Sequence, residues 1–388
     1  MRRVLTALLV AAVVAGAAGA AETNRVLAIE WKAGGGQLRW VSATTLRPAG
    51  PSSLNVGGAP FRLLALSPDR TQAALGGGTG GRLRLVHLQS LRGTGLMRLG
   101  GFSAAGALWL ARDRLVVLTS GDEPEVVVLD PHTRRTLSRT RLAGSMSGVV
   151  TAPGRLVTLL TPAEAIGPAR LAIVAADGTV RTAALPGVAA GFAPARDLEA
   201  ASRHVSPGLA VSADGRRAAV AALNALVLVD LETLETRVQP LVTRTAARAG
   251  KRIEGWGHGA VWIGADRVGV YGWNESYEGP RHVRTTSGVR IVDVRSGVAA
   301  MLDETALRAE IHGDTLLTHG GTALRGYRLD GTLRFELLSG NDTGYIQTAG
   351  RYAYVGSENS TRFAVVDVRA GRVVGNAHTL KPTVVLGP

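Results

Sequence analysis

Residues 226–241 read LVLVDLETLETRVQPL. Four apolar β-formers, Leu226 to Val229, run into Asp230, and the chain reverses over Leu-Glu-Thr-Leu. A polar-apolar run then leads back out. An aspartate at the start of such a reversal uses its carboxylate to accept backbone N–H groups two residues on, so this stretch is a strand, a turn and a strand. The same pattern returns as VVVLDPHTRRTLSRTRL (126–142), IVDVRSGVAAML (291–302), RLDGTLRFELL (328–338) and VVDVRAGRVVG (365–375). Counted with its weaker copies, the unit occurs eight times between about residue 26 and residue 376.

A repeat of roughly 40 to 50 residues built from short strands means small sheets arranged in series. The expected fold is all-β: a β-propeller of eight four-stranded blades, or seven if one weak unit is irregular. A second kind of turn supports the count, read in LALSPDRTQAAL (64–75) and LAVSADGRRAAV (209–220). Asp69, Asp113, Asp214, Asp266 and Asp314 recur in such turns, between the first and second strands of a unit. The first unit, from Val26, has no strand before it. The chain ends in KPTVVLGP (381–388), a β-rich segment without a partner. That segment is expected to supply the missing strand and close the ring against the first unit, because an open ring exposes unpaired edges.

The first twenty residues read as an export signal: Arg2 and Arg3, an apolar run from Val4 to Ala18, and Ala18-Gly19-Ala20 as a small-x-small cleavage site. The expected mature chain, residues 21–388, is a single propeller domain. The apolar run falls short of the about 20 residues that span a bilayer. The expected address is secreted, periplasmic or cell envelope, and not integral to a membrane once the signal is cut. There is no cysteine, which excludes disulfides and thiolate metal sites. The formal charge is +14, carried almost wholly by arginines scattered along turns and strand ends. Nucleic-acid binding needs basic residues clustered with stacking aromatics, so no nucleic-acid partner is expected.

The SPDR and SADGRR turns, followed by VVDVRAG-type hairpins, resemble the secreted β-propellers of the YVTN and WD-like superfamily. The resemblance spans nearly all of the mature chain. It implies the fold and is silent about activity. The Trp-Asp dipeptide of true WD repeats is absent.

Four connections are longer than the rest: 186–207, 242–257, 161–170 and 273–288. In the expected topology all four emerge on one face, and long loops there point to recognition. Candidate binding residues on them are Arg203, His204, Arg252, Glu254, Trp256, His258, Trp273, Tyr277, Arg281 and His282. Aromatic and arginine side chains together are the usual anchors of a recognition surface. A short helix is expected over Arg196–His204, where DLEAASRH opens with Asp and mixes strong helix formers. His204, His258 and Glu254 could move a proton at the channel mouth, but no metal-ligand spacing joins them. Asp130, Asp230, Asp293, Asp330 and Asp367 stand at every hairpin and read as turn formers. No cofactor, metal or catalytic set is expected. The function expected is a monomeric, non-enzymatic binding scaffold for a protein or an envelope polymer. The alternative is a propeller lyase or hydrolase with its site at the channel mouth.

Overall fold

The structure is a computed structural model. It describes residues 24–32, 35–57, 61–77, 80–93, 95–111, 113–121, 123–194, 203–241, 255–278, 281–357, 362–378 and 383–386. The signal segment, and with it the expected cleavage, lies outside the described residues.

The first strands are β1 (Arg25–Lys32), β2 (Gly35–Ser42) and β3 (Pro48–Gly57). A second sheet has β4 (Phe61–Leu66), β5 (Gln72–Gly77), β6 (Arg82–His87) and two short pieces, β7 (Arg92–Gly93) and β8 (Met97–Arg98). A third has β9 (Ser103–Ala111), β10 (Arg114–Ser120), β11 (Glu125–Leu129) and β12 (Thr136–Arg141). Then come β13 (Ser145–Ala152), β14 (Arg155–Thr161), β15 (Ile166–Ala175), β16 (Val180–Ala193) and β17 (Arg203–Ser206). Another four-stranded sheet follows, from β18 (Gly208–Val211), β19 (Arg217–Ala221), β20 (Ala225–Asp230) and β21 (Thr236–Pro240). Next are β22 (Gly255–Ile263), β23 (Arg267–Glu278), β24 (Arg281–Thr286), β25 (Val289–Asp293) and β26 (Ala299–Asp303). The last two sheets are β27 (Arg308–His312), β28 (Thr315–His319), β29 (Leu324–Arg328) and β30 (Leu333–Leu337), then β31 (Tyr345–Ala349), β32 (Tyr352–Gly356), β33 (Arg362–Asp367) and β34 (Arg372–His378). β35 (Thr383–Leu386) ends the described chain.

Within each blade, strands that follow one another in sequence pair antiparallel, and successive blades touch through their first strands: β4 on β9, β9 on β13, β13 on β18, β18 on β22, β22 on β27. The final strand β35 joins the sheet of β1, pairing Leu27 with Leu386, Ala28 with Val384 and Ile29 with Thr383. β35 also touches both β31 and β4, so first and last sheets meet. The fold is a β-propeller.

The blade count differs from the sequence reading. Among the described residues six sheets stand as discrete blades, five of four strands and one of five, not eight and not seven. The other strands form a single ten-stranded sheet, β13 through β17 joined to β22 through β26. The cause is β17. It pairs antiparallel with β16 (Gly191 to Val205) and parallel with β22 (Val205 to Trp256), bridging over the β18–β21 blade between them. Counting hairpins along a sequence cannot see a strand that pairs sideways.

The continuous apolar runs now have a reason. In β20, Val227 and Val229 face one core cluster while Leu226 and Leu228 face another. In β11, Val127 and Leu129 face one neighbour, Val126 and Val128 the other. Period-two alternation with a sheet packed on each side makes both faces apolar.

The hairpin aspartates are turn formers, as read. Asp130 accepts from His132 N at 2.8 Å, Asp230 from Glu232 N at 2.8 Å, Asp293 from Ser296 N at 2.8 Å and Asp330 from Thr332 N at 2.8 Å. The SPDR and SADGRR turns match each other: Ser67 Oγ donates to Asp69 at 2.7 Å, as Ser212 Oγ does to Asp214 at 2.5 Å. Four residues after the hairpin aspartate the chain is left-handed, at Gly297 (φ 77°) and Gly371 (φ 62°), and also at Arg134 (φ 60°) and Leu234 (φ 65°).

Removing residues 381–388 takes β35 from the β1 edge. The expected result is a melting temperature lower by at least about 5 °C, with more aggregation on heating, measured by scanning calorimetry. An unchanged melting curve would show that the ring does not depend on this strand.

Candidate functional site

The β22–β23 hairpin carries most of the site. Its register sets Gly257 opposite Trp273, Gly259 opposite Tyr271 and Gly255 opposite Glu275. Alternation puts these on one face and Trp256, His258, Ala260, Trp262, Val270 and Asn274 on the other. On the first face each ring crosses a glycine. A Cβ on Gly257 would sit 2.6 Å from the Trp273 ring, and one on Gly259 would sit 2.2 Å from the Tyr271 ring. Only hydrogen fits beneath them. On the second face Trp256 enters the core with Val205, while Trp262 and Val270 pack toward the β18–β21 blade.

Beyond Val270 the chain does not loop out. The segment 273–288, read as a long loop, is mostly strand: β23 continues to Glu278 and returns as β24, pairing Trp273 with Thr286 and Glu278 with Arg281. Likewise 186–193 belongs to β16 and 166–170 to β15. The expected helix cannot reach His204, because Arg203 and His204 are in β17; residues 195–202 and 242–254 lie outside the described residues.

Against this hairpin lies a pocket of about 580 Å³. β17 contributes His204 and Ser206, since Val205 between them points into the core. Tyr271 and Trp273 of β23, Arg284 and Thr285 of β24, and Leu307 with Arg308 line it as well. Thr286 Oγ1 donates to the Ala306 carbonyl at 2.9 Å, which ties β24 to the segment that carries Leu307 and Arg308. The Arg284 guanidinium stacks over Trp273 at 4.5 Å from the ring centroid, and its Nε donates to Glu275 Oε1 at 2.7 Å. No Asp or Glu side chain lines the pocket among the described residues.

Behind the pocket the polar groups are poorly served. His258 is 9% exposed and neither ring nitrogen has a partner in hydrogen-bonding geometry. Burial pushes its pKa down to about 4, opposed in part by the nearby Asn274 side chain and Ala222 backbone. The imidazole lies 4.9 Å from the Trp256 ring and also borders a small cavity of about 10 Å³ with Ser287 and Val292. Both amide atoms of Asn274 and the Ser287 hydroxyl are buried without partners as well. Each such group costs about 1–3 kcal/mol. Burial also lifts Glu310 to about 7, and it sits close enough to Tyr271 to raise the phenol further. No group of three or more His, Asp or Glu among the described residues is placed to hold a metal ion.

Of the candidate residues, His204, His258 and Trp273 meet at this pocket. They are not alike: His204 is exposed on the rim, whereas His258 is buried in the wall. Trp256 is in the core, and Arg203 is exposed on β17 away from the lining. Tyr277, Arg281 and His282 stand on the extended hairpin, with side chains outside the described residues, as are Arg252 and Glu254 altogether. Sequence reasoning passed over Ser206, Tyr271, Thr285 and Arg308. For the aromatic pair a signal existed: Gly257-His258-Gly259 faces Tyr271-Gly272-Trp273 across one hairpin.

No family model matches the chain, and no curated protein matches it. Among solved structures it is similar to dihydro-heme d1 dehydrogenase NirN in complex with DHE: TM-score 0.62, 13% identity, 93% of this chain and 74% of that one. It is also similar to apo AztD from Citrobacter koseri: TM-score 0.54, 11% identity, 92% of this chain and 96% of that one. A third is a functionally unknown protein from Desulfotomaculum acetoxidans: TM-score 0.50, 13% identity, 94% of this chain and 100% of that one. At such identities the likeness shows the propeller fold alone.

The buried groups set an expectation for acid. His258 and His319 both fold with pKa values near 4, below the ordinary 6.5. Between those values the folded state binds fewer protons than the unfolded chain, so each makes stability fall as pH drops from about 6.5 toward 4, by up to about 1.4 kcal/mol per unit. Glu310, raised from 4.5 to about 7, acts with the opposite sign over nearly the same window. Urea denaturation at pH 7, 6 and 5 is therefore expected to show a flatter acid limb in His258→Gln and a steeper one in Glu310→Gln. Identical limbs in both variants and the parent would contradict the burial of these groups.

Proposed function

We propose that the chain is an exported, non-enzymatic binding scaffold that holds a protein or envelope polymer at the pocket beside the β22–β23 hairpin. The observation that carries the reading is the pocket itself: about 580 Å³, backed by Tyr271 and Trp273, with Arg284 stacked on the indole. That volume lies in the range of ligand sites, and Trp, Tyr and Arg are the residues that dominate recognition energies. The expected signal at residues 1–20 supports a secreted, periplasmic or cell-envelope address, and the YVTN and WD-like resemblance belongs to the same reading. Among the described residues no helix is long and apolar enough to cross a membrane.

The enzyme alternative draws little support from His258. Held near pKa 4 and packed beside Trp256, it is a buried wall residue with no carboxylate partner among the described contacts.

The test compares immobilised parent, Trp273→Ala and Arg284→Ala proteins for capture from an envelope extract. Each variant is expected to capture at least about thirtyfold less weakly held partner, as for loss of about 2 kcal/mol, while melting as the parent does. Equal capture by all three would end this reading. A turnover abolished by His204→Ala with His258→Ala, with capture unaffected, would move the assignment to an enzyme.

A further inference from the structure

We infer that the pocket is a receptor for an oxyanion, a carboxylate or phosphate presented by an acidic envelope polymer. This rests on the binding reading above and narrows its partner. The pocket is lined by arginine, histidine, hydroxyl and aromatic side chains, with no carboxylate among the described residues.

Arg284 is the centre of the argument. Its side chain is 62% exposed, yet it is held from two directions: the indole of Trp273 beneath and the Glu275 carboxylate at Nε. Glu275 is itself 8% exposed, tucked against Gly255, where a Cβ would sit 2.8 Å from its Oε2. The ion pair runs through Nε alone, and no described contact engages the two terminal nitrogens. A guanidinium fixed in plane, with its terminal donors uncommitted, is preorganised for a bidentate oxyanion.

The surroundings agree in sign. Arg308 lines the same pocket, and the Thr286–Ala306 hydrogen bond ties its segment to the strand of Arg284. Thr285, Ser206 and His204 add short polar groups at the same opening. Two carboxyl groups bear on the site from behind. Glu275 is held by Arg284, and burial raises the pKa of Glu310 to about 7, which weakens its charge relative to an ordinary carboxylate. Neither enters the pocket, so the field inside remains positive.

The polymer follows from scale. A pocket of about 580 Å³ on a propeller face admits one or two sugar-sized units and no folded domain. A chain of repeated acidic units also gains from the arginines spread over the rest of the surface.

The experiment is isothermal titration of the full protein with short oligomers of three kinds: oligogalacturonate, polyphosphate and uncharged dextran. We expect binding of one or both acidic oligomers and none of dextran, with affinity falling as salt rises. Arg284→Gln is expected to weaken binding about tenfold, and Arg284→Lys to restore less than half of the loss, because a point charge does not replace the fork. Arg372→Gln, on an outer strand of another blade, is expected to change affinity less than about twofold. Oligogalacturonate alone identifies a carboxylate source, polyphosphate alone a phosphate source. Equal losses in Arg284→Gln and Arg372→Gln would reduce the effect to general surface charge and overturn the inference. Binding of no acidic oligomer overturns it too. If envelope capture still depends on Trp273 in that case, the binding reading survives and only the oxyanion assignment falls.

Discussion

The hydrogen-bonded pairing of residues 383–386 with β1 is the constraint on which the rest of this architecture depends. The inner strand of the first sheet is β35, so that sheet is complete only when two segments more than 350 residues apart in sequence meet. The seam is reinforced sideways. Tyr354 Oη donates to the Ala43 carbonyl at 2.8 Å and Tyr352 Oη to Asn24 at 3.1 Å, joining the last sheet to the first. With no cysteine to cross-link the loop, buried apolar faces and this seam are what hold the circle.

On that frame the pocket is a local departure from the repeat. Most blade cores are filled by branched aliphatic residues, and a ring lies over a glycine at a few other points, such as Phe335 over Gly326. In β22–β23 one face alternates glycine with aromatic across the strands, which thins the sheet and lays rings directly on backbone. The opposite face keeps a buried imidazole, an amide and a hydroxyl without partners. A stable repeat has no use for such groups. Their concentration behind the hairpin that bears Arg284 and Trp273 sets this part of the ring apart from the other blades.

Fold was largely legible in the sequence because its signals are local. An aspartate before a reversal and an apolar run ahead of it recur often enough to be read without coordinates, and Asp130, Asp230 and Asp293 do in the structure what their positions imply. The closing strand was legible for a topological reason, since one unit lacked a partner. The number of blades was not, because β17 joins two sheets by a parallel contact between residues about fifty positions apart. The site was half legible. Trp273, His204 and His258 stood out as rare residue types, but Tyr271, Arg284 and Arg308 converge only through register, and a strand continuing to Glu278 looks like a loop when its composition is polar.

The strand β17 has an effect on how such a ring can change over time. Repeat architectures gain or lose whole units, because each unit touches only its neighbours. Here one sheet reaches over the blade beside it to grip the next. Duplicating or deleting that intervening blade would stretch or collapse the tie. The circle is therefore free to vary elsewhere but locked in size across this arc, beside the pocket.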